Sequence, residues 1–343
     1  MRPVFFVILG STFAACLPAQ TPTLSGPVQG YTFDAPTRSL RAVYGFPGAS
    51  TFGPPLRTGL EFASAAPLQK YAIGFQDGQC LLISELGSSK LSTRTLSGVE
   101  AQPGGIAWSG NGSVAVLYSL SGNWLQRISG LPSAPAIGKR LDGSTLGGGV
   151  GGVLVSVAAD AQGKEIAAGV TGEASGVFES SDGQNFTSLK QVAKPVSLAF
   201  STATGTSDST SLYVLDSSVP QVVAISLSSH GYQTIALDGL VNPLAIQAVQ
   251  NSQNIQQLYV AAANSVRILD ISTQQIVADV SLGFKATGLG QFGSNSFILA
   301  ARAKTSNPLW LFASAPQPGA YFVPAIQSPS PAHGRAGLLG GER

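Results

Sequence analysis

The sequence has few charged residues and few of the side chains that build most catalytic and metal centres. Charged residues make up 10% of the 343 residues, and the chain has only two histidines and two cysteines. Because soluble domains usually carry about a quarter charged residues, solubility here must depend on uncharged Ser, Thr, Asn and Gln. The formal net charge is only +2, and the Lys and Arg residues are scattered. Without a basic stripe, nucleic acid is excluded as the expected partner.

The scarce histidines and cysteines predict neither a triad nor a zinc site. His230 lies in a predicted hairpin turn and His333 near the C-terminus, whereas a Ser-His-Asp triad needs an imidazole packed beside its nucleophile. Zinc needs His, Cys or carboxylate ligands in close array, and no pair here has that spacing. Cys80 lies in an apolar run, which predicts a buried, unreactive thiol.

The N-terminus has the features of an export signal. Arg2 supplies a positive charge, residues 4–13 form an apolar run too short to span a bilayer, and Ala19 is a small residue at a predicted cleavage point. We therefore expect residues 1–19 to be removed and the mature chain, without a transmembrane segment, to be secreted or periplasmic. The alternative is a lipoprotein anchored through Cys16, which follows two alanines.

What the sequence does contain favours many short strands joined by turns. Its 41 glycines and 21 prolines supply turns rather than helices. Residues 258–283 hold three apolar runs separated by polar breaks, and residues alternate between two faces within each run. With the preceding run at 243–250, this segment predicts a four-stranded antiparallel meander.

The same four-strand cycle recurs at about 45 residues, the period of a β-propeller blade. We predict an all-β propeller of six four-stranded antiparallel blades over residues 31–326, with seven blades as the alternative. Residues 20–30 are predicted to be a linker, and residues 327–343 a disordered tail. Residues 39–46 are assigned to a strand that completes the C-terminal blade and so closes the ring. The inner strands are marked by Phe62, Ile106, Val155, Leu198, Ile246 and Leu289.

Residues 258–283 also resemble the YVTN-type propeller repeat, in which a Tyr-Val run, a Val-x-Val-Ile-Asp run and a closing Ile-x-Val-Gly are separated by turns. The resemblance is strong in about two of the six units, and it implies a propeller in an exported, often bacterial, protein. It implies no shared chemistry, because a fold does not define a function. The matching residues are Tyr259, Val260, Val266, Ile268, Asp270, Thr273, Val280 and Gly283.

Several motifs are interpreted as turns rather than as sites. Residues 179–186 resemble a degenerate Asp-box, the hairpin turn of sialidase-like propellers, with Ser180 and Asp182 in place. Asp270 ends a predicted strand, where its side chain would accept a hydrogen bond from a nearby backbone N–H in an Asx turn. The same role is predicted for Asp160, Asp216 and Asp238.

The four-strand repeat recurs along the chain, and the sequence shows no group of catalytic residues. Together with the export signal, these observations predict an exported, non-enzymatic propeller. We expect a monomer that binds a protein, peptide or glycan partner, or acts as a scaffold, without a cofactor. Trp124, after a predicted loop, and Tyr118 are the candidate binding surface. The alternative is a propeller enzyme, a metal-dependent lactonase, lyase or hydrolase, working in the central channel, where Asp160 and Gln247 are the nearest polar candidates. Calcium could bind in such a channel, but no motif places it there.

Overall fold

A computed structural model describes residues 26–88, 90–146, 151–202, 210–250, 256–293, 296–314 and 317–325. In these ranges the regular secondary structure consists of β-strands, apart from two short 3-10 turns at Ala35–Thr37 and Gly143–Thr145, and turns and loops join the strands. The predicted signal peptide at 1–19 and the predicted tail at 327–343 lie outside the described residues. None of the described helical segments has the length and apolar character needed to cross a bilayer.

The strands form seven antiparallel sheets, each from consecutive strands of the chain. The first three sheets comprise the following strands: β1 (Val28–Asp34), β2 (Ser39–Phe46) and β3 (Ala49–Thr58); β4 (Phe62–Ala65), β5 (Tyr71–Gln76), β6 (Gln79–Ser84) and β7 (Ser92–Thr95); β8 (Gly105–Trp108), β9 (Ala115–Ser119), β10 (Trp124–Ser129), β11 (Ala136–Ile137) and β12 (Leu141–Asp142).

The other four sheets have four strands each, and the chain runs from the innermost strand to the outermost. They comprise β13 (Val153–Ala159), β14 (Ile166–Thr171), β15 (Gly176–Ser180) and β16 (Thr187–Lys190); β17 (Pro195–Phe200), β18 (Ser211–Asp216), β19 (Gln221–Ser226) and β20 (Tyr232–Ala236); β21 (Pro243–Gln250), β22 (Gln256–Ala262), β23 (Ser265–Asp270) and β24 (Ile276–Ser281); β25 (Gly290–Gln291), β26 (Ser296–Ala300), β27 (Leu309–Ala313) and β28 (Gly319–Val323).

The core is divided into clusters that lie between neighbouring sheets. Because each sheet packs on both faces, the middle strands are apolar almost throughout, and β22 and β23 are buried over nearly their whole length. Among the described residues, seven such clusters link sheet to sheet around the ring. The last joins Val43 of the first sheet to Phe292 and Leu311 of the seventh. The sheets therefore close into a β-propeller.

The ring has seven blades, so the alternative count is confirmed and the count of six is wrong. Residues 39–46 do not complete the C-terminal blade, since β2 pairs with β1 and β3 of its own sheet. The predicted linker also ends too late, because Val28–Gly30 already belongs to β1. The search for a four-strand repeat did not identify this blade, because the first sheet shows three strands rather than four.

A buried ion pair joins the first and seventh sheets. Arg302 Nη1 lies 3.0 Å from Asp34 Oδ1, and the two side chains are 2% and 0% exposed. The Arg302 guanidinium also donates to the carbonyl oxygens of Thr305 and Asn307. This residue thus ties a loop of the seventh sheet to the end of β1.

Candidate functional site: the central channel

The innermost strands of six sheets surround a channel of about 850 Å³. Its described lining comes mainly from β4, β8, β13, β17, β21 and β25 and their adjoining turns, with Tyr118 of β9 and Phe297 and Ile298 of β26, and these residues carry apolar, hydroxyl and amide side chains. No Asp, Glu, Lys, Arg or His belongs to this described lining. The polar side chains on the wall are Ser64, Asn111, Ser156, Gln162, Ser197, Ser201, Thr202, Gln247, Gln250 and Gln291.

Serine hydroxyls on the wall bind the backbone of the next sheet. Ser156 Oγ accepts a hydrogen bond from Leu198 N at 3.1 Å. One sheet further, Ser197 Oγ accepts a hydrogen bond from Ile246 N at 3.2 Å. Each serine therefore joins its own sheet to a backbone donor of the next sheet, which helps to hold the innermost strands at a fixed spacing.

Two further side chains make equivalent bridges on either side of these serines. Trp108 Nε1 donates to Ser64 Oγ at 2.9 Å, which joins the third sheet to the second. Gln247 Nε2 donates to the carbonyl oxygen of Leu289 at 3.1 Å, which joins the sixth sheet to the seventh. Gln247, one of the two polar candidates for the alternative enzyme, thus has a structural partner.

The serine bridges depend on a local irregularity in the strands. The pairing register shifts between Leu154 and Ser156 in β13, and again between Pro195 and Ser197 in β17. A β-bulge re-aims the side chain that follows it, so each serine turns towards its neighbour. The repeat pattern does not single out these serines, although both stand at the same place in their repeats, within "VLVSVAA" and "PVSLAF".

Of the two residues predicted to form an aromatic binding surface, Trp124 and Tyr118, only Tyr118 lies at the channel. Tyr118 lines the channel, and burial raises the pKa of its hydroxyl. Trp124 is 4% exposed and packs in the core between the second and third sheets. The prediction that Trp124 is an exposed loop residue is wrong, because it begins β10 and pairs with Ser119. Trp108 is the tryptophan that reaches the channel wall.

The strand-end aspartates mainly stabilise turns. Asp270 Oδ1 accepts hydrogen bonds from Ser272 N at 2.8 Å and Thr273 N at 3.0 Å, and Asp216 Oδ1 accepts one from Ser218 N at 2.9 Å. These contacts confirm the predicted Asx turns.

Asp160, the other polar candidate for the alternative enzyme, also accepts a hydrogen bond from a backbone N–H. Its Oδ1 accepts a hydrogen bond from Glu165 N at 3.1 Å, across the turn that joins β13 to β14. Asp160 is 7% exposed and is not among the described channel-lining residues. It therefore acts as a turn residue in this structure.

The degenerate Asp-box is also a turn. Asp182 Oδ1 accepts hydrogen bonds from Gln184 N at 2.7 Å and Asn185 N at 2.8 Å, while Ser180 Oγ donates to the same oxygen. These donors hold the pKa of the Asp182 carboxyl well below its usual range. The box therefore stabilises the β15–β16 hairpin, as the sequence predicted.

A group of titratable side chains lies away from the channel, near the β13–β14 and β15–β16 turns. Burial raises the pKa of Glu165, and the negative charges of Glu179 and Asp160 raise it further. His230 Nε2 lies 3.8 Å from Glu179 Oε1. Within the described ranges, no three His, Cys, Asp or Glu side chains come together as metal ligands.

No protein-family model matches the sequence, and no curated protein matches it. The YVTN-type resemblance of residues 258–283 therefore stays a prediction. Solved structures do show a similar fold. A functionally unknown protein from Desulfotomaculum acetoxidans DSM 771 aligns with a TM-score of 0.57 and 11% identity, over 87% of this chain and 99% of that chain.

Two other solved structures are similar at lower scores. A chain of the Nidogen/Laminin complex has a TM-score of 0.47 and 15% identity, over 74% of this chain and 95% of its own. A chain of the complex of BBS1N with ARL6DN has a TM-score of 0.49 and 16% identity, over 88% and 87%. The 11% identity to the Desulfotomaculum protein shows a shared fold alone. By its ring of seven sheets, and by its likeness to the Desulfotomaculum protein, this chain has the β-propeller fold.

Proposed function

We propose that the chain is a non-enzymatic binding module that takes up an uncharged polar ligand at its central channel. The observation that carries this proposal is the described channel wall, which offers hydroxyl, amide and aromatic groups. Such groups hold neutral hydrogen-bonding molecules, whereas proton transfer in most enzymes is performed by His, Asp, Glu or Lys. A neutral glycan or an uncharged peptide segment has the required chemistry.

The wall itself suggests how such a ligand is held. Trp108 and Tyr118 present aromatic surface for stacking against a sugar ring or an apolar side chain. Gln291 is exposed and lies at the channel, so its amide can donate and accept hydrogen bonds with a ligand. The serines and Gln247 hold the wall in shape through their bonds to neighbouring sheets.

The alternative function, a propeller enzyme, would require metal-binding side chains in the same channel. A metal-dependent lactonase or lyase gathers carboxylates, amides or imidazoles around one ion. Here Gln247 bridges to Leu289 and Asp160 holds a turn, so both candidates already have structural partners. The binding module is therefore the function that the geometry supports better.

Binding can be tested with a pair of matched tryptophan substitutions. Gln291→Trp places an indole in the channel at an exposed position, and Thr234→Trp places one on the exposed outer strand β20. The purified chain is screened against neutral glycans and uncharged peptides, and hits are measured by calorimetry. We expect Q291W to weaken binding at least about tenfold and T234W to leave it within about twofold.

Two results would overturn the proposal. If Q291W and T234W bind a hit equally well, the ligand does not use the channel. If the purified chain turns over lactones, esters or glycosides, and metal chelation abolishes that turnover, the module is an enzyme. Melting temperatures of both variants show whether either substitution disturbs the fold.

We also propose that the module works outside the cytoplasm, either free or anchored through a lipid on Cys16. The support is the sequence of residues 1–19, with Arg2, an apolar run and Ala19. The mass of the mature N-terminus, after expression with its own leader in a bacterium, separates the cases. Gln20 as first residue supports free export, a diacylated Cys16 supports anchoring, and an intact Met1 contradicts both.

A further inference from the structure

The innermost strands run in the same direction around the channel, so the channel has two distinct ends. Ser156, the fourth residue of β13, bonds to Leu198, the fourth residue of β17. Beyond the ends of β8 and β13, the Asn111 side chain donates to the side-chain oxygen of Gln162. Neighbouring innermost strands therefore lie in register, as the repeated blades of a propeller do. Their last residues meet at one end of the channel and their first residues at the other.

The end at which these strands finish is polar and uncharged. The third to the seventh sheets each place a hydroxyl or amide side chain there, at the last residue of the innermost strand or within three residues after it. These five residues are exposed, and their side chains can both donate and accept hydrogen bonds. We call this set the polar mouth, and it consists of Asn111, Gln162, Thr202, Gln250 and Gln291.

The other end of the channel carries aromatic and aliphatic side chains. Phe62 is the first residue of β4, Ile106 the second residue of β8 and Ala245 the third residue of β21. Tyr118 belongs to the same end, because it pairs with Gly105, the first residue of β8. All four line the channel and are half-buried. We call Phe62, Ile106, Tyr118 and Ala245 the apolar end.

Between the two ends, polar side chains of the wall bond to neighbouring sheets. Ser64 accepts a hydrogen bond from the indole of Trp108, and Gln247 donates to a backbone carbonyl oxygen. Ser156 and Ser197 accept hydrogen bonds from backbone N–H groups. The described wall therefore offers hydrogen-bonding groups to a ligand mainly at the polar mouth. A polar group buried deeper would lose water without full replacement, which is costly, whereas an apolar group gains by burial.

We propose that the channel binds a neutral amphiphile, with an uncharged hydroxyl- or amide-bearing head at the polar mouth and an unbranched apolar chain that extends to the apolar end. This inference rests on the proposed binding function and adds the class and the orientation of the ligand. A charged head fits less well, because no charged side chain belongs to the described lining. The volume of about 850 Å³ is in the range of small-molecule sites.

A series of alkyl glucosides tests the apolar part of this inference. Butyl, hexyl and octyl β-D-glucosides share one neutral head, and each is titrated into the purified chain below its micelle-forming concentration. Burying one further CH₂ group tightens binding by up to about fourfold. We expect octyl glucoside to bind with a stoichiometry of one, and at least about tenfold more tightly than butyl glucoside. Octanoate, which has a charged head, should bind at least about tenfold more weakly than octyl glucoside.

Matched asparagine substitutions locate the alkyl chain. Ile106→Asn places an amide at the apolar end, and Ile276→Asn makes the same change at an exposed position of the outer strand β24. With I106N the ratio of the octyl to the butyl affinity should fall towards one, whereas I276N should leave this ratio within about twofold. Ala245→Asn, at the same end, replaces I106N if that variant does not fold. Melting temperatures identify such a case.

A substitution at the polar mouth locates the head. Gln291→Leu removes an exposed amide from the polar mouth. Because every glucoside in the series has the same head, Q291L should weaken butyl and octyl glucoside by the same factor, and the ratio of their affinities should not change. A loss confined to octyl glucoside would reverse the proposed orientation and overturn it.

The remaining outcomes separate this inference from the binding function on which it rests. Equal affinities for butyl and octyl glucoside, no binding of octyl glucoside, or equal effects of I106N and I276N would overturn the inference. Octanoate that binds as well as octyl glucoside would overturn it too. In each case a neutral glycan or peptide whose binding Q291W weakens would still support the binding function. If no neutral ligand of any kind binds at the channel, both proposals fail.

Discussion

Replacing Arg302 with methionine should destabilise the fold more than removing an exposed ion pair, because the pair that Arg302 forms with Asp34 between the first and seventh sheets is buried. The Arg302 guanidinium donates to both carboxylate oxygens of Asp34, at 3.0 and 3.1 Å, and both side chains are almost fully buried. It also lies 5.1 Å from the ring centroid of Phe52. Methionine fills much of the same space but leaves the Asp34 carboxylate without its closest positive charge.

The expected loss follows from the contacts that remain. Removing one partner of a buried ion pair costs about 3–5 kcal/mol, because a charge stays buried without compensation. Asp34 keeps Arg41, whose Nε lies 3.3 Å from Oδ2, and it keeps the Thr37 hydroxyl. We therefore expect the lower end, about 3 kcal/mol. With an unfolding entropy of about 2.1 cal/mol/K per residue, a chain of this length should then melt at a temperature roughly 4 °C lower.

Thermal and urea unfolding, followed by circular dichroism and tryptophan fluorescence, measure this loss. Glu100→Gln is the control, since its ion pair with Arg140 has a distance of 3.9 Å and both side chains are more than a third exposed. That variant should change stability by less than about 0.5 kcal/mol. Asp34→Asn combined with R302M should lose less than the two single variants together, because the uncompensated charge is gone.

An R302M protein within about 1 kcal/mol of the parent would refute this reasoning, because it would mean that Arg41 and Thr37 alone compensate the buried Asp34 carboxylate. Additive losses in the double variant would also refute it, because they would mean that the two side chains act independently.

Cys80 should not react with thiol reagents in the native chain, because burial raises its pKa to about 12; rapid labelling before unfolding would contradict its buried position. Glu165→Gln should raise the melting temperature at pH 7. Its raised pKa means that the folded state binds the proton more tightly, so ionisation opposes folding. This gain should shrink as the pH falls through the usual range of glutamate, and a gain that is the same at every pH would contradict it. Asp182→Ala should speed amide exchange at Gln184 and Asn185, which donate to its carboxylate; ligand binding should not change, and unchanged exchange would contradict the turn role.

The sequence predicts most of the fold because alternation and turn residues act locally. The four runs at 243–283 became β21 to β24 with nearly the predicted bounds. The blade count failed at the first sheet, which shows three strands where the other sheets show at least four among the described residues. β1 and β2 looked like isolated strands, since nothing in residues 28–46 reveals which sheet they join.

The candidate site was harder to predict, because channel residues differ from core residues in position rather than in type. Trp124 follows a turn of four residues, and its indole packs between the second and third sheets. Trp108 packs against the core between the second and third sheets and also reaches the channel wall. The bridging serines depend on bulges, and the position of the extra residue in each bulge is defined by the pairing of the two strands, which the sequence of one strand alone does not give.

The ring of inter-sheet clusters has a consequence for how the protein melts. In a linear array of repeats the end units lose contact on one side only, and such arrays fray. Here the cluster of Val43, Phe292 and Leu311 gives the first and last sheets a second neighbour. Detaching any one sheet then breaks two clusters at once, so no sheet can unfold on its own at a low free energy. We expect the seven blades to unfold together, in one cooperative transition.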